Sequence, residues 1–95
     1  MRLQWTEPAT QDLDNIAAYY EREAGARIAA TNILKIIETV KTLLDAPHQS
    51  RPGRIPGTRE LVITTLPFLV PYRVKKDVIQ ILRIFHTAQQ PPAQW

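Results

Sequence analysis

The chain contains no cysteine among its 95 residues. That excludes disulfides and thiolate metal sites, and it fits a reducing cytoplasm. No stretch approaches the roughly 18 consecutive apolar residues that a bilayer-spanning helix requires. The opening residues MRLQWTEPATQDLD lack the apolar centre of a signal peptide. The expectation is a cytoplasmic protein that does not engage a membrane. Glycine is scarce, with three residues, and two of them fall in RPGRIPG, which matches neither the P-loop nor the dinucleotide-binding fingerprint. The two histidines, His48 and His86, lie far apart in sequence and no acidic pairs cluster near them, so neither a metal site nor a cofactor is expected.

Apolar residues make up 44% of the chain, enough for one core, and a chain of 95 residues can hardly fill two. Residues 1–95 are therefore read as one domain, with 91–95 as a flexible tail. The net charge of +3 is modest but unevenly placed. Residues 1–50 carry five Lys/Arg against seven Asp/Glu, whereas residues 51–95 carry seven against two. A basic half points to a polyanionic target or an acidic partner. The plainer alternative is a solvated surface with no ligand.

Arg2 to Trp5 reads as a short strand. Thr6 offers an N-cap hydroxyl and Pro8 suits a first helical turn. Leu13, Ile16, Ala17 and Tyr20 then share one face of a helix over residues 7–23, and Gly25 can end it. A second helix is predicted over residues 26–45, with Ala29, Ile33, Ile36, Ile37, Val40, Leu43 and Leu44 as its apolar stripe and Pro47 as its stop. So short a junction makes an antiparallel helical hairpin. After the connector RPGRIPGTREL come three β-rich runs, Thr58–Thr64, Phe68–Val74 and Val78–His86, read as an antiparallel meander. Pro71 lacks an N–H and is expected at a bulge or on a non-donating side. The fold class is α+β in the order β-α-α-β-β-β, a helical hairpin packed on one face of a small, mostly antiparallel sheet. The other face is expected to stand open.

Strand alternation sorts the candidate site residues. Arg73 and Arg83 are expected side by side on the open face, with Arg51, Arg54 and Arg59 completing a basic surface suited to phosphates. The structural alternative is that an individual arginine only pairs with a neighbouring carboxylate, as Arg59 with Glu60 or Asp77. His86 is a candidate general acid or base, and equally a hydrogen-bonded structural group. Glu60 is a candidate base, though a carboxylate among arginines is more often an ion-pair partner. Tyr72 would stack on a base or pack. His48 is expected in solvent.

The segments W-T-E-P-A and D-L-x-x-I-A-x-Y-Y (Trp5 to Tyr20), R-P-G-R-I-P-G-T-R-E-L, P-Y-R-V (Pro71 to Val74) and I-L-R-I-F-H-T-A-Q (Ile81 to Gln89) give the chain a resemblance to the RelE/ParE superfamily of toxins from type II toxin–antitoxin modules. The resemblance covers nearly the whole length. It implies a growth-arresting toxin and a cognate antitoxin, acidic and folding as it binds. RelE-like members cut messenger RNA on the ribosome without metal, which needs cations around the phosphate and a proton-transfer group. Under that reading Arg59, Arg73, Arg83, His86 and Glu60 are the catalytic candidates, and Arg51, Arg54, Arg59, Arg73 and Arg83 hold nucleic acid. The family's third-strand arginine aligns with Leu69, and its second-strand lysines fall near Glu60 and Val62. ParE-like members poison DNA gyrase without catalysis, and Ile81–His86 resembles their last strand, although Ala88-Gln89-Gln90 replaces the usual arginine-aspartate. RNA cleavage is ranked first on the basic surface alone, gyrase inhibition second, and an inactive antitoxin-binding homologue third.

Overall fold

The structure is a computed structural model that describes residues 1–95. Strand β1 (Arg2–Trp5) leads into helices α1 (Glu7–Ala24) and α2 (Ala26–Lys41). A single 3-10 turn follows at Thr42–Leu44. The rest is β: β2 (Arg51–Pro52), β3 (Arg59–Ile63), β4 (Phe68–Lys75), β5 (Val78–Ile81) and β6 (Phe85–His86). The strand order is β1-β5-β4-β3-β2, with β6 pairing on β4. Only β1 and β5 run parallel. The α+β architecture is therefore the expected one, with six strands in place of four.

Thr6 explains how the first strand turns into the first helix. Its hydroxyl accepts from the Ala9 N–H at 3.3 Å and donates to the Ile81 carbonyl at 2.7 Å, so one side chain caps α1 and ties it to the end of β5. Gly25 ends α1 and starts α2 with φ at 92°, a value that a β-carbon would oppose. The second helix stops four residues short of the expected bound, at Lys41, and its last turn tightens to 3-10 geometry. Leu44, counted in the apolar stripe, is consequently exposed.

The core lies between the hairpin and one face of the sheet. Ala9, Ile36, Val40 and Leu43 from the helical side meet Ile63, Phe68, Val70, Tyr72, Ile79 and Ile81 from the strands. Leu3, Trp5, Leu13, Ile16, Tyr20 and Ile33 pack around them. Alternation holds well enough to sort both faces, because register ties Arg59, Leu61 and Ile63 to Tyr72, Val70 and Phe68.

The last strand departs from expectation. Val78–His86 is not continuous; Leu82–Ile84 leave the sheet between β5 and β6. Pro71 supplies the reason. The Leu82 N–H donates to the Pro71 carbonyl at 2.9 Å, so Pro71 turns its hydrogen-bonding side toward the β5–β6 segment. In an antiparallel ladder that same side should also donate, and proline cannot. The partner chain breaks where the donor is missing, which is the bulge expected of this proline. The tight turn after β4 is a two-residue loop in which Lys76 takes a left-handed φ of 58°.

Candidate functional site

The face of the sheet away from the helices is built in rows. One row runs Arg51, Glu60, Pro71 across β2, β3 and β4. Another runs Arg73, Gln80, Gln4 across β4, β5 and β1. Beyond it Lys75 and Arg2 flank Val78. A fourth row, Val62, Leu69, Phe85, is apolar.

Glu60 organises the connector. Its side chain is 1% exposed, yet it lies on the face expected to be open. Arg51 Nη2 donates to Oε1 at 3.1 Å, the Arg54 backbone N–H donates to Oε2 at 3.0 Å, and Arg54 Nε stands 3.8 Å from the same oxygen. A buried carboxylate is tolerated only when its charge and lone pairs are met, and here one carboxylate meets two guanidinium groups and a backbone donor. The arginines keep about half of their side-chain surface in solvent, so the clamp leaves them available as a cationic surface.

Arg59 does something different from either expectation. It pairs with neither Glu60 nor Asp77. Its Nη1 donates to the carbonyls of His48 and Ser50, both at 2.9 Å. Tyr72, fully buried, donates from its hydroxyl to the Pro47 carbonyl at 2.8 Å. Together these two side chains of neighbouring strands pin the loop after α2. Tyr72 therefore packs and leaves no face for a base. His48 is exposed, as expected.

Arg73 and Arg83 are not side by side. Arg73 is exposed on the helix-free face and donates from Nε to Gln80 Oε1 at 2.6 Å; Gln80 in turn donates to Gln4 Oε1 at 2.9 Å. Arg83 sits in the break between β5 and β6 and turns to α1. It meets Asp12 through Nε and Nη2 at 2.6 and 2.9 Å, and the Ile84 N–H donates to the same carboxylate at 3.0 Å. The hydrogen bond to Asp12 raises the arginine's pKa, against a smaller opposing effect of burial. Alternation from Ile79 and Ile81 carries Arg83 to this helix side, against the expectation of the open face; the register shift at the break reverses only the residues after it, Phe85 and His86.

His86 also faces the helices. Its ring meets Phe68 edge-on at 5.4 Å, and its Nδ1 accepts from the Ala88 N–H at 3.0 Å. An accepting Nδ1 carries no proton, so the neutral ring holds its hydrogen on Nε2. His86 lines a cavity of about 490 Å³ with Asp12, Asn15, Tyr20, Phe68 and Gln89. Desolvation, aided by the neighbouring Tyr19, raises the Tyr20 pKa.

The structure thus brings together Arg51, Arg54 and Glu60, with Arg73 on the same face. It separates from them Arg59, Arg83 and His86. Two residues given no role by the sequence reading prove central. Asp12 was visible inside D-L-x-x-I-A but nothing in the spacing linked it to Arg83. Trp95, the one aromatic residue of a polar tail, packs edge-on against Phe85 at 5.0 Å.

The fold is a helical hairpin on a mostly antiparallel sheet with an arginine-bearing outer face. The chain matches the family described as "ParE toxin of type II toxin-antitoxin system, parDE" over residues 3–91, and it belongs to that family. It is 43% identical over 94 residues to "Putative toxin Y4kP" of Sinorhizobium fredii (strain NBRC 101917 / NGR234), covering 96% of this chain and 93% of that one. It superimposes with a TM-score of 0.86 on a chain of the "Chromosomal ParDE TA system from P. aeruginosa", at 41% identity, covering 90% of this chain and 95% of the other. The protein is a ParE-like toxin of a type II toxin–antitoxin module, and the module implies an antitoxin partner. No helix is long and apolar enough to cross a membrane.

Proposed function

We propose that this toxin arrests growth by binding DNA gyrase and that it performs no covalent chemistry. The observation that carries the reading is the dispersal of the groups RNA cleavage would need. Attack of a ribose hydroxyl on its phosphate requires cations and a proton-transfer group around one phosphorus, at hydrogen-bonding distance. Arg83 is held by Asp12 and His86 accepts from Ala88, both on the helix side, while Arg73 lies on the opposite face. Arg59 is committed to two loop carbonyls and Glu60 to two arginines. What remains is a surface of arginines, Arg51, Arg54 and Arg73, that stay exposed despite their partners Glu60 and Gln80, and such a surface suits docking. The ParE family assignment and the Ile81–His86 ending support gyrase as the target. RNA cleavage keeps only the basic surface in its favour.

The test is a supercoiling and DNA-cleavage assay with purified gyrase, alongside pulse-labelling after induction in a bacterial host. Loss of supercoiling and an early fall in DNA synthesis, with messenger RNA intact, is the expected outcome. Active gyrase at high toxin concentration, with cut messages and an early fall in protein synthesis, overturns it.

A further inference from the structure

The cavity between α1 and the segments around Pro67 and His86 plays no part in the gyrase reading. Its volume of about 490 Å³ lies within the roughly 300–1,000 Å³ of small-molecule sites. Ile16 and Tyr20 reach it from α1, and Phe68, Ile84 and His86 from the strands and the break between them. Phe68 and His86 meet edge-on with ring centroids 5.4 Å apart, and Phe68 is itself a core residue, so this wall is fixed by the fold. Aromatic walls of this kind receive a further ring in offset or edge-on geometry.

The unused polar groups of the lining share one character. Asn15 Oδ1 accepts from Gln11 Nε2 at 3.1 Å, which leaves the amide hydrogens of Asn15. His86 Nδ1 accepts from the Ala88 N–H at 3.0 Å, which leaves Nε2–H. Tyr72 is the one tyrosine whose hydroxyl is bonded within the protein, so the Tyr20 O–H is also unspent. All three groups donate. No lysine or arginine lines the cavity. Arg83, beside it, is taken up by Asp12 at 2.6 and 2.9 Å, and the same carboxylate accepts from the Ile84 N–H. An anion here would give up water next to a carboxylate with no free cation in return. A cation would bring no acceptor for the three donors. The lining therefore suits an uncharged ligand.

We propose that this cavity binds a small, uncharged aromatic molecule that carries a carbonyl acceptor. The ring lies among Ile16, Tyr20 and Phe68, and the carbonyl oxygen accepts from the donors of His86, Asn15 and Tyr20. The donors set the selectivity, because a plain hydrocarbon of the same shape takes them out of water and leaves them unpaired. The ligand touches α1 and the strands at once, so binding stabilises the folded chain. The proposal does not rest on gyrase as target, and the failure of either reading leaves the other standing.

The experiment uses the full chain and three probes of similar shape, benzamide, toluene and benzoate, at about pH 8, where imidazoles are uncharged. Binding is measured by NMR titration, with the His86 ring and the Asn15 side-chain amide as reporters. Benzamide is expected to shift both signals and to bind about tenfold more tightly than toluene, with benzoate weaker than benzamide. Tyr20→Phe keeps the ring and removes one donor, and it is expected to reduce the benzamide preference several-fold with toluene binding unchanged. Asn15→Trp, at an exposed position, sets a large ring in the cavity and is expected to abolish binding of both with thermal unfolding unchanged. Benzamide binding no tighter than toluene or benzoate overturns the proposal, as does benzamide binding that survives Asn15→Trp. Should Tyr20→Phe fail to fold, the ranking of the three probes by the wild type decides alone.

Discussion

Arg83 and Asp12 meet as a two-pronged ion pair, Nε and Nη2 on the two carboxylate oxygens at 2.6 and 2.9 Å, across 71 positions of sequence. The pair fastens the irregular segment between β5 and β6 to the first helix. The Ile84 N–H, freed from the sheet by the break, donates to the same carboxylate. Asp12 thus answers a backbone donor as well as a charge. Removing the carboxylate leaves both without a partner.

Asp12→Ala is accordingly expected to destabilise the fold by about 2 kcal/mol, the range for a charge-assisted hydrogen bond that is only partly screened. Asp12→Asn keeps one acceptor and should lose less. Urea unfolding of the two variants measures the difference. A loss below about 0.5 kcal/mol for the alanine variant would show the pair to be an ordinary surface contact.

Glu60 should behave as a clamp. Glu60→Ala removes the acceptor for Arg51 and for the Arg54 backbone and leaves two cations unopposed. About 2 kcal/mol of stability should go with it, and amide exchange in residues 51–58 should quicken. Glu60→Gln should keep growth-arresting activity at a folded concentration. Loss of activity without loss of fold would restore Glu60 as a chemical group.

His86 offers the sharpest contrast between docking and cleavage. His86→Gln is expected to leave messenger RNA uncut and arrest growth as the wild type does, since the candidate arginine on its side, Arg83, is taken up by Asp12. General acid–base catalysis contributes about 10²–10⁴-fold, so a drop of that size in arrest on substitution would favour the cleavage reading. Induction titrated against plating efficiency supplies the measurement.

Alkaline titration should report on Tyr20. Its pKa in the folded protein is raised from 10.0, by burial first and Tyr19 second. The folded state then holds the phenol proton more tightly than the unfolded chain. The stability from this group is complete below the unfolded pKa and is lost as pH rises through the folded one. Denaturant midpoints should therefore fall above about pH 10, and Tyr20→Phe should flatten that fall. An unaltered slope in the variant would place the effect elsewhere.

The sequence by itself determined the main elements and their order, though not the short strand Arg51–Pro52 or the division of Val78–His86. Thr6 before Pro8 and the spacing Leu13, Ile16, Tyr20 specify α1 locally, because capping and amphipathic period act over a few residues. Gly25 separates two helices for the same kind of reason, a local backbone conformation with φ at 92°. Alternation in β4 put Phe68, Val70, Tyr72 and Val74 on the side opposite Arg73, as found, whereas Arg59, expected on the open face, stands in register with buried Tyr72; the stiff connector was legible as an arginine carrier. Pro71 announced a disturbance. Only the tertiary structure decided its consequence, since the missing donor acts on a partner eleven residues away, opening β5 from β6 where Arg83 meets Asp12. The same break set His86 on the helix side. Burial of Glu60 and the return of Trp95 to Phe85 were likewise out of reach of the sequence. Charge pairing and tail docking depend on which distant groups the fold brings within a few ångströms, and no local pattern encodes that distance.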